Sequence, residues 1–394
     1  MNKKISIGVC ISLIAIACTV TFVITWTVSL NMYNDIIPGA VRRDEISGKL
    51  QEIDSFVRNN CLFDLDEEEL AYGIYSGYIS GVGDKNTVYM TVSEYSEYAA
   101  HKRGQLVSGG IRVEKEESGY IAIMEVYSGS DAESSGIQKG DLITSIDGTD
   151  VLRVGAEAAL SLLFGEENTR FKLDILREGQ IIPYSLIRQS IDIISVETEI
   201  TENNVGMIYI STFNDLTASQ FESAIEEFIE AEVKAILIDL RNNVSGFYTS
   251  VSDMVNNLVP AGTIAFSEQK GGVRKELIVT DDNKSLPEEM QEIPIIILVN
   301  SETAGAGELF AAILKSHAGA QLVGENTAGN AYIQKVQVLN DGSAILVTVE
   351  KVALASGLDY FETGLSPDYE AKSGVTEDPQ LQKAFEVIET IIKP

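Results

Sequence analysis

Two runs in the second half of the chain hold residue types that acyl-transfer chemistry uses. One run reads N-S-E-T-A-G-A-G-E at 300–308, and the other reads G-E-N-T-A-G-N-A-Y-I-Q at 324–334. The hydroxyls of Ser301 and Thr303 are potential nucleophiles, but a hydroxyl needs a neighbouring base that takes its proton. The second run offers the amide of Asn330, and an amide has no basicity near neutral pH.

The two runs resemble the active-site segments of the carboxyl-terminal processing peptidases, which are also called tail-specific serine proteases. In that family the first segment reads roughly N-x-x-S-A-S-A-S-E with the nucleophile at the middle Ser, and the second reads G-E-x-T-x-G-K-G-x-x-Q with a Lys general base. The resemblance puts Gly305 at the nucleophile position and Asn330, twenty-five positions later, at the base position. Gln334 occupies the position of a Gln that helps to orient the Lys. The resemblance therefore implies a peptidase frame without either reacting side chain.

A third segment, D-L-R-N-N-V-S-G at 239–246, resembles the family's D-L-R-x-N-P-G-G turn. In the family this turn supplies a backbone N–H to the oxyanion hole, which stabilises negative charge on the substrate carbonyl oxygen. The resemblance makes Ser245 and Gly246 the candidate oxyanion-loop residues. Val244 and Ser245 replace the family's Pro and first Gly, so the shape of this loop is expected to differ as well.

Residues 105–190 show short apolar strands separated by Gly-rich turns, and the run S-G-S-D-A-E-S-S-G-I-Q-K-G-D-L-I at 128–143 resembles the signature of bacterial PDZ domains. PDZ domains bind an extended peptide tail as an added strand, and a glycine loop holds its terminal carboxylate. The resemblance predicts peptide-binding residues in that loop, with Arg112 attracting the tail's charge, and in a helix over 155–164. These residues are Gly109, Gly110, Ile111, Arg112, Ala159, Leu162 and Leu163.

Flanking patterns predict an α/β and β multidomain protein. Apolar residues at helical spacing predict a helical collar over 43–103. From residue 193 to 394, apolar strand patterns such as Val205–Ile210 and Ile295–Val299 alternate with helical ones. This alternation predicts an α/β domain whose sheet is covered on both faces, with functional loops at the strand ends.

The amino terminus predicts a membrane anchor. Lys3 and Lys4 precede an uncharged apolar run over 5–30, which is long enough to cross a hydrocarbon core of about 30 Å. The lysines favour a cytoplasmic tail at 1–4 and an extracytoplasmic location for everything after the span, as in a single-pass protein of the cell membrane. A cleaved signal peptide is the alternative, and A-I-A-C at 15–18 faintly resembles a lipoprotein cleavage box.

Composition narrows the possible partners. The chain has 29 basic and 59 acidic residues, a net charge of −30 that disfavours nucleic acid as a ligand. Two of the three cysteines lie in the apolar run, so Cys61 alone cannot form a disulfide framework within one ectodomain. No metal-ligand cluster or nucleotide-binding loop is apparent, and no cofactor is expected.

The resulting hypothesis is a membrane-anchored, extracytoplasmic pseudo-peptidase of bacterial type. It would bind carboxyl-terminal segments of peptides or proteins without cleaving them, as a homo-oligomer or beside an active relative. The alternatives are an active serine endopeptidase with a displaced nucleophile, Thr303 or Ser301, and a remnant without a ligand.

Overall fold

The computed structural model describes residues 7–116, 118–244, 246–255, 258–279, 293–374 and 378–392, except for the side chains of residues 7, 9–15, 28–43 and 157. The chain divides into two compact units, Met1–Ile74 and Tyr75–Pro394. Each unit is described separately.

The first unit is helical. It contains α1 (Ile7–Asn60) and the start of α2 (Glu67–Ser80). Arg58 lies near the end of α1 and binds Asp54, one turn earlier, and Glu67, at the start of α2. Within the described residues, no helix is both long and apolar enough to span a bilayer. The predicted span over 5–30 begins outside the described residues.

The second unit opens with β1 (Val88–Met90) and α3 (Val92–Lys102), for which Thr91 and Glu94 form a capping box. The segment expected to be a PDZ domain follows. Its strands are β2 (Gln105–Ser108), β3 (Ile111–Lys115), β4 (Ile121–Val126), β5 (Leu142–Ile146), β6 (Thr149–Asp150), β7 (Arg170–Arg177), β8 (Gln180–Ile187) and β9 (Gln189–Asp192). Its helices are α4 (Asp131–Ser135), α5 (Val151–Val154) and α6 (Ala156–Leu160), with a 3-10 turn at Ser161–Leu163.

These strands form an antiparallel sheet in the order β3-β4-β5-β7-β8, while β2 pairs with β9. The helix expected over 155–164 is found as α6 continued by the 3-10 turn, and it ends at Leu163. Gly155 has φ 89° and ψ 147°, which no helical residue adopts, so α5 and α6 are separate turns.

The remaining elements follow the expected strand–helix alternation only in part, because several strands succeed one another without a helix between them in the described residues. In chain order they are β10 (Val196–Ile200), β11 (Val205–Ile210), α7 (Thr217–Glu230), β12 (Ala235–Asp239), α8 (Tyr248–Val255), β13 (Gly262–Gln269), β14 (Arg274–Val279), β15 (Ile295–Val299), α9 (Ala306–His317), β16 (Gln321–Gly324), β17 (Tyr332–Val338), β18 (Ala344–Leu354), β19 (Tyr369–Glu370) and α10 (Pro379–Ile392). The strands predicted at Val205–Ile210 and Ile295–Val299 are confirmed.

The main sheet has the order β10-β11-β12-β15-β16-β19, and every pair except β10–β11 is parallel. Alternate side chains of β12 enter two cores. Ile236 and Ile238 pack with α7, α8 and α9, whereas Leu237 packs with Val387 and Ile388 of α10. The predicted coverage of both faces is confirmed, and the carboxyl ends of β12 and β15 meet at one edge, where the site loops begin.

A second, antiparallel sheet stands beside this edge. One side of β18 pairs with β1 at its start and with β13 at its end, and β13 pairs in turn with β14. The other side of β18 pairs with β17, which is an edge strand. Through β1, the segment expected to form a helical collar over 43–103 also contributes a strand, because Val88–Met90 pairs with residues 344–346.

Candidate functional site

Gly305 lies at the sharp turn between β15 and α9. Its φ of 59° and ψ of −111° are strained for any residue with a Cβ and are readily adopted by glycine. The position itself is open, because a Cβ built there would meet no heavy atom within 4 Å. The backbone thus has the form of a strand–turn–helix nucleophile elbow, with no side chain on it.

Glu308 joins the two runs. Its side chain is fully buried, and Oε2 accepts the N–H groups of Gly305 (3.1 Å) and Asn330 (2.7 Å). Oε1 accepts the N–H of Gly329 (2.6 Å) and the hydroxyl of Thr327 (2.5 Å). Since Gly305 and Asn330 donate to the same oxygen, their backbones are adjacent. One buried carboxylate therefore holds the frame together.

Asn330 occupies the other half of this frame. Its carbonyl oxygen accepts the Tyr248 hydroxyl (3.3 Å), and its side-chain Oδ1 is buried without a hydrogen-bond partner among the described residues. An amide cannot accept a proton near neutral pH, so the position holds no base.

Two tyrosines extend this buried polar cluster. Burial, followed by the negative charge of Glu308, raises the pKa of Tyr248. The pKa of Tyr360 is raised well above its usual value by burial, then by Tyr248 and Glu308. Both phenols therefore remain neutral at physiological pH. The Tyr360 hydroxyl has no partner among the described residues.

Gln334 is exposed on β17, and its Nε2 donates to the backbone oxygen of Asn86 (2.5 Å). Asn86 belongs to a turn that Asp84 organises by accepting the Asn86 N–H and the Thr87 hydroxyl. Gln334 therefore braces the segment before β1, and none of its hydrogen bonds involves Asn330.

The loop after β12 lies against the start of α9. Gly246 forms a bridge with Phe213, and a Cβ on it would lie 2.7 Å from the Cβ of Phe213 and 3.1 Å from that of Ala306. Asn243 is fully buried and accepts the N–H of Ala304 on its backbone oxygen (2.9 Å). Gly246 is therefore close to Gly305, as an oxyanion loop requires. Ser245 lies outside the described residues.

Similarity to known proteins agrees with this geometry. Residues 204–371 match the model of peptidase family S41, and residues 123–177 match a PDZ domain. The carboxy-terminal processing protease CtpA of Bacillus subtilis is 28% identical over 359 residues, which cover 91% of this chain and 75% of that protein. A carboxyl-terminal-processing protease of Synechocystis is 28% identical and covers 77% of this chain and 71% of its own length.

The chain belongs to the carboxyl-terminal processing peptidase family. The fold agrees with that of a putative S41 protease from Bacteroides fragilis, with a TM-score of 0.52, 19% identity, and coverage of 80% of this chain and 90% of the other.

Within this family frame, neither proposed substitute nucleophile resembles an activated hydroxyl. Thr303 is fully buried, and its Oγ1 donates to the Leu240 carbonyl (2.9 Å) and accepts the Asn300 N–H (3.1 Å). These bonds give Thr303 a structural role at the turn. Ser301 is exposed on the same turn, with no hydrogen bond from its hydroxyl to the described residues.

The glycine loop of the PDZ domain is buried against other residues of the same domain. Gly109, Gly110 and Ile111 are all buried, and the Gly110 N–H donates to the Ser108 hydroxyl (3.2 Å). A Cβ on Gly110 would lie 2.0 Å from the Cβ of Ser130. The Gly110 amide, predicted to hold a ligand's carboxylate, already has an acceptor inside the domain.

Arg112 points away from the core, since it follows buried Ile111 on β3 and is exposed. Its guanidinium binds Glu125 and Glu114, each at 3.1 Å. Two carboxylates thus offset the charge that was expected to attract a peptide tail.

The predicted groove wall is mostly core. Ala159 and Leu163 are 0% and 2% exposed, whereas Leu162 is partly buried. Buried Arg188 stacks over the Phe171 ring (4.5 Å to the centroid) and donates to the carbonyls of Leu162 (2.7 Å) and Leu163 (3.1 Å). The guanidinium therefore satisfies carbonyl groups at the carboxyl end of this helical segment, where a cation is favourable.

The sequence indicated the positions of Gly305 and Asn330 but not what holds them. Glu308 and Thr327 stand inside the two runs, so a carboxylate in a small-residue segment was an available signal. Tyr248 and Tyr360 carried no local signal, because they reach the site only through the tertiary fold.

Proposed function

We propose that this protein is a non-cleaving member of its family that binds extended peptide segments. The observation that carries the proposal is the pair Gly305 and Asn330, adjacent on Glu308 but without a hydroxyl or a base. Loss of the nucleophile or base in a serine protease lowers turnover by about 10⁴- to 10⁶-fold. The buried bonds of Thr303 support the same view, because its hydroxyl is committed to the turn.

Two exposed strand edges support peptide binding. In the described sheets, β3 is an end strand of the PDZ domain and β17 pairs only with β18. A strand edge presents free N–H and C=O groups to which an extended peptide can add. Because β17 begins two residues after Asn330, a peptide on this edge would lie beside the former catalytic centre.

We also propose the location expected from the amino terminus, with residues 5–30 as a single anchor in the cell membrane and the rest outside the cytoplasm. The charge pattern of Lys3 and Lys4 supports this orientation. Protease protection in intact spheroplasts would test it, since an extracytoplasmic domain is digested without lysis and a cytoplasmic one is not.

The decisive experiment is cleavage of an unfolded substrate with an apolar carboxyl terminus by the purified full-length chain. The double variant Gly305→Ser with Asn330→Lys runs beside it. We expect no cleavage by the natural chain. Cleavage by the double variant alone would mean that the frame is intact around a missing dyad.

Cleavage by the natural chain that disappears in Thr303→Ala or Ser301→Ala would refute the proposal and establish a displaced nucleophile. Binding of a fluorescent peptide, measured by anisotropy on the same samples, tests the second half. Absence of peptide binding by the natural chain would refute the proposed peptide-binding function.

A further inference from the structure

A lysine and two aromatic rings form a cluster beside Asn330. The Lys351 ammonium lies 3.5 Å from the centroid of the Phe361 ring, and Phe361 meets Tyr332 edge-on with ring centroids 5.1 Å apart. A cation held over a ring face keeps a defined position at low entropic cost. This set is called the Lys351 cluster: Lys351, Phe361 and Tyr332.

Backbone bonds place the cluster next to the former catalytic centre. Tyr332 is the first residue of β17 and pairs across the sheet with Lys351. The adjoining Val352 N–H donates to the Ala331 carbonyl (2.8 Å). The loop that carries Phe361 is tied to the same segment, because the Glu362 N–H donates to Gly329 (2.9 Å).

Lys351 is a cation without an acidic partner among the described residues, as are Lys335 on β17 and Lys102. In the part of the chain that the structure describes it forms no ion pair, although the chain carries a net charge of −30. Other cations of the chain are paired with acids: Arg112 with Glu125 and Glu114, Arg241 with Asp239 and Asp378, and Lys275 with Glu350. Lys351 is half-buried and keeps its donors available.

The overall charge makes such a local cation necessary for any anionic ligand. A strongly acidic surface repels a carboxylate at long range, so recognition depends on a cation at the binding site. The predicted alternative in the PDZ domain is weak, because the Gly110 N–H binds Ser108 and Arg112 is shared by two glutamates.

We propose that the Lys351 cluster binds the carboxylate of a peptide lying along the free edge of β17. Lys351 supplies the charge-assisted hydrogen bonds, the Phe361 ring holds the ammonium, and Phe361 and Tyr332 contact apolar ligand atoms. This inference rests on the proposed peptide binding and assigns its charged contact to the α/β domain.

A second lysine gives an internal comparison. The Lys102 ammonium lies 5.8 Å from the centroid of Phe247, which directly follows Gly246 on the other side of the centre. It also forms no ion pair with the described residues, but it is exposed and farther from its ring. We expect a smaller contribution from Lys102.

The test uses the full-length chain and three fluorescein-labelled Gly/Ser-rich peptides that end in Leu-Val. One has a free terminal carboxylate, one is amidated, and one is amidated with an internal Asp. Anisotropy titrations are run at low and high salt on the natural chain and on Lys351→Gln, Lys351→Arg, Lys102→Gln and Lys234→Gln. Lys234 is exposed at the amino end of β12, at the other end of the strand from the site loops, and serves as the charge-matched control.

We expect the natural chain to bind the free acid about fivefold more tightly than the amide, as for a partly exposed ion pair. Lys351→Gln should reduce that ratio to about one, while Lys351→Arg and Lys234→Gln preserve it and salt weakens it. Tighter binding of the Asp peptide than of the plain amide would show that a side-chain carboxylate serves as well.

An unchanged preference for the free acid in Lys351→Gln would overturn the inference while leaving peptide binding in place. A natural chain that binds free acid and amide equally would also overturn it. Failure of all three peptides to bind the natural chain would refute the proposed function instead, and with it this inference.

Discussion

The site around Gly305 and Asn330 and the glycine loop of the PDZ domain differ in how they depart from the family pattern. At the centre the backbone frame persists, with four donors on the buried Glu308 carboxylate, while the reacting side chains are absent. In the glycine loop the sequence pattern persists, but the Gly110 amide is bound to Ser108 inside the domain. The site around Gly305 thus has a hydrogen-bonded backbone frame but neither a hydroxyl nor a base at the two family positions. The glycine loop has the expected sequence, but the N–H of Gly110 already has an acceptor.

The contrast has a physical cause. The site is held by hydrogen bonds from backbone N–H groups and the Thr327 hydroxyl to Glu308, so this frame depends on no side chain at Gly305 or Asn330. Gly305 even relieves strain, because its φ of 59° costs a residue with a Cβ about 1–3 kcal/mol. A buried amide, in contrast, must have an acceptor, and the Ser108 hydroxyl provides it within the loop.

The largest expected effect is on the frame itself. Glu308→Ala should lower the free energy of unfolding by about 3–5 kcal/mol, because four donors around the carboxylate lose their acceptor. Urea denaturation of the variant measures the loss. Glu302→Ala, exposed on the preceding turn, is the matched control and should change stability by less than about 0.5 kcal/mol. Equal losses in both variants would mean that Glu308 does not hold the frame.

Gly305→Ala should destabilise by about 1–2 kcal/mol through backbone strain alone, since its Cβ has open space. Gly77→Ala is a control for which we expect a change in stability of the opposite sign. It lies inside α2 with no heavy atom within 4 Å of an added Cβ, and we expect a gain of up to about 1 kcal/mol. Denaturation curves that show no loss for Gly305→Ala would contradict the strained elbow.

A smaller effect is expected at the turn that Gln334 braces. Burial of Asp84 acts to raise its pKa, but the nearby Thr348 hydroxyl and the hydrogen bonds from the Thr87 hydroxyl and the Asn86 N–H outweigh it, so the pKa is lowered. A lowered folded-state pKa gives stability that is present above the unfolded value of about 4 and is lost as the pH falls through the folded one.

Asp84→Asn should therefore show a shallower decline in unfolding free energy below about pH 4 than the natural chain. Urea titrations at a series of pH values measure both slopes. Asp150→Asn supplies a control on a carboxylate in the PDZ domain. If the unfolding free energies of Asp84→Asn and the natural chain decline in parallel as the pH falls, Asp84 does not contribute to the loss of stability in acid.

The smallest expected effect is on peptide binding by the PDZ domain. Arg112→Gln should leave the affinity for a free-acid peptide within about twofold, because Glu125 and Glu114 already offset the guanidinium charge. Anisotropy with the free-acid and amidated peptides measures it. A collapse of the free-acid preference in this variant would restore the PDZ domain as the carboxylate site.

Much of the fold could be predicted because apolar runs report burial directly. Val205–Ile210 and Ile295–Val299 form strands, as their largely apolar sequences predicted. Such runs are typical of parallel strands that are covered on both faces of a sheet. The strand β1 could not be predicted, since three residues after a turn carry no period. Its conformation is set by pairing with Ala344–Leu346, far along the chain.

The candidate site was predictable where a residue type alone decides its chemistry. Gly305 cannot attack and Asn330 cannot accept a proton, whatever surrounds them. The role of Gln334 was not predictable, since its hydrogen-bond partner is the Asn86 backbone, which the fold brings alongside β17.

The sequence by itself determined that the family's two reacting side chains are absent at the aligned positions, because no packing can add a functional group to glycine or basicity to an amide. Only the tertiary structure decided that the frame survives, that the Gly110 amide and the Arg112 charge are occupied, and that Lys351 rests on Phe361 without an acid partner among the described residues. The physical reason is competition, because each donor or charge takes a partner that the fold brings within reach: Ser108 for the Gly110 amide, Glu114 and Glu125 for Arg112, and the Phe361 ring for Lys351.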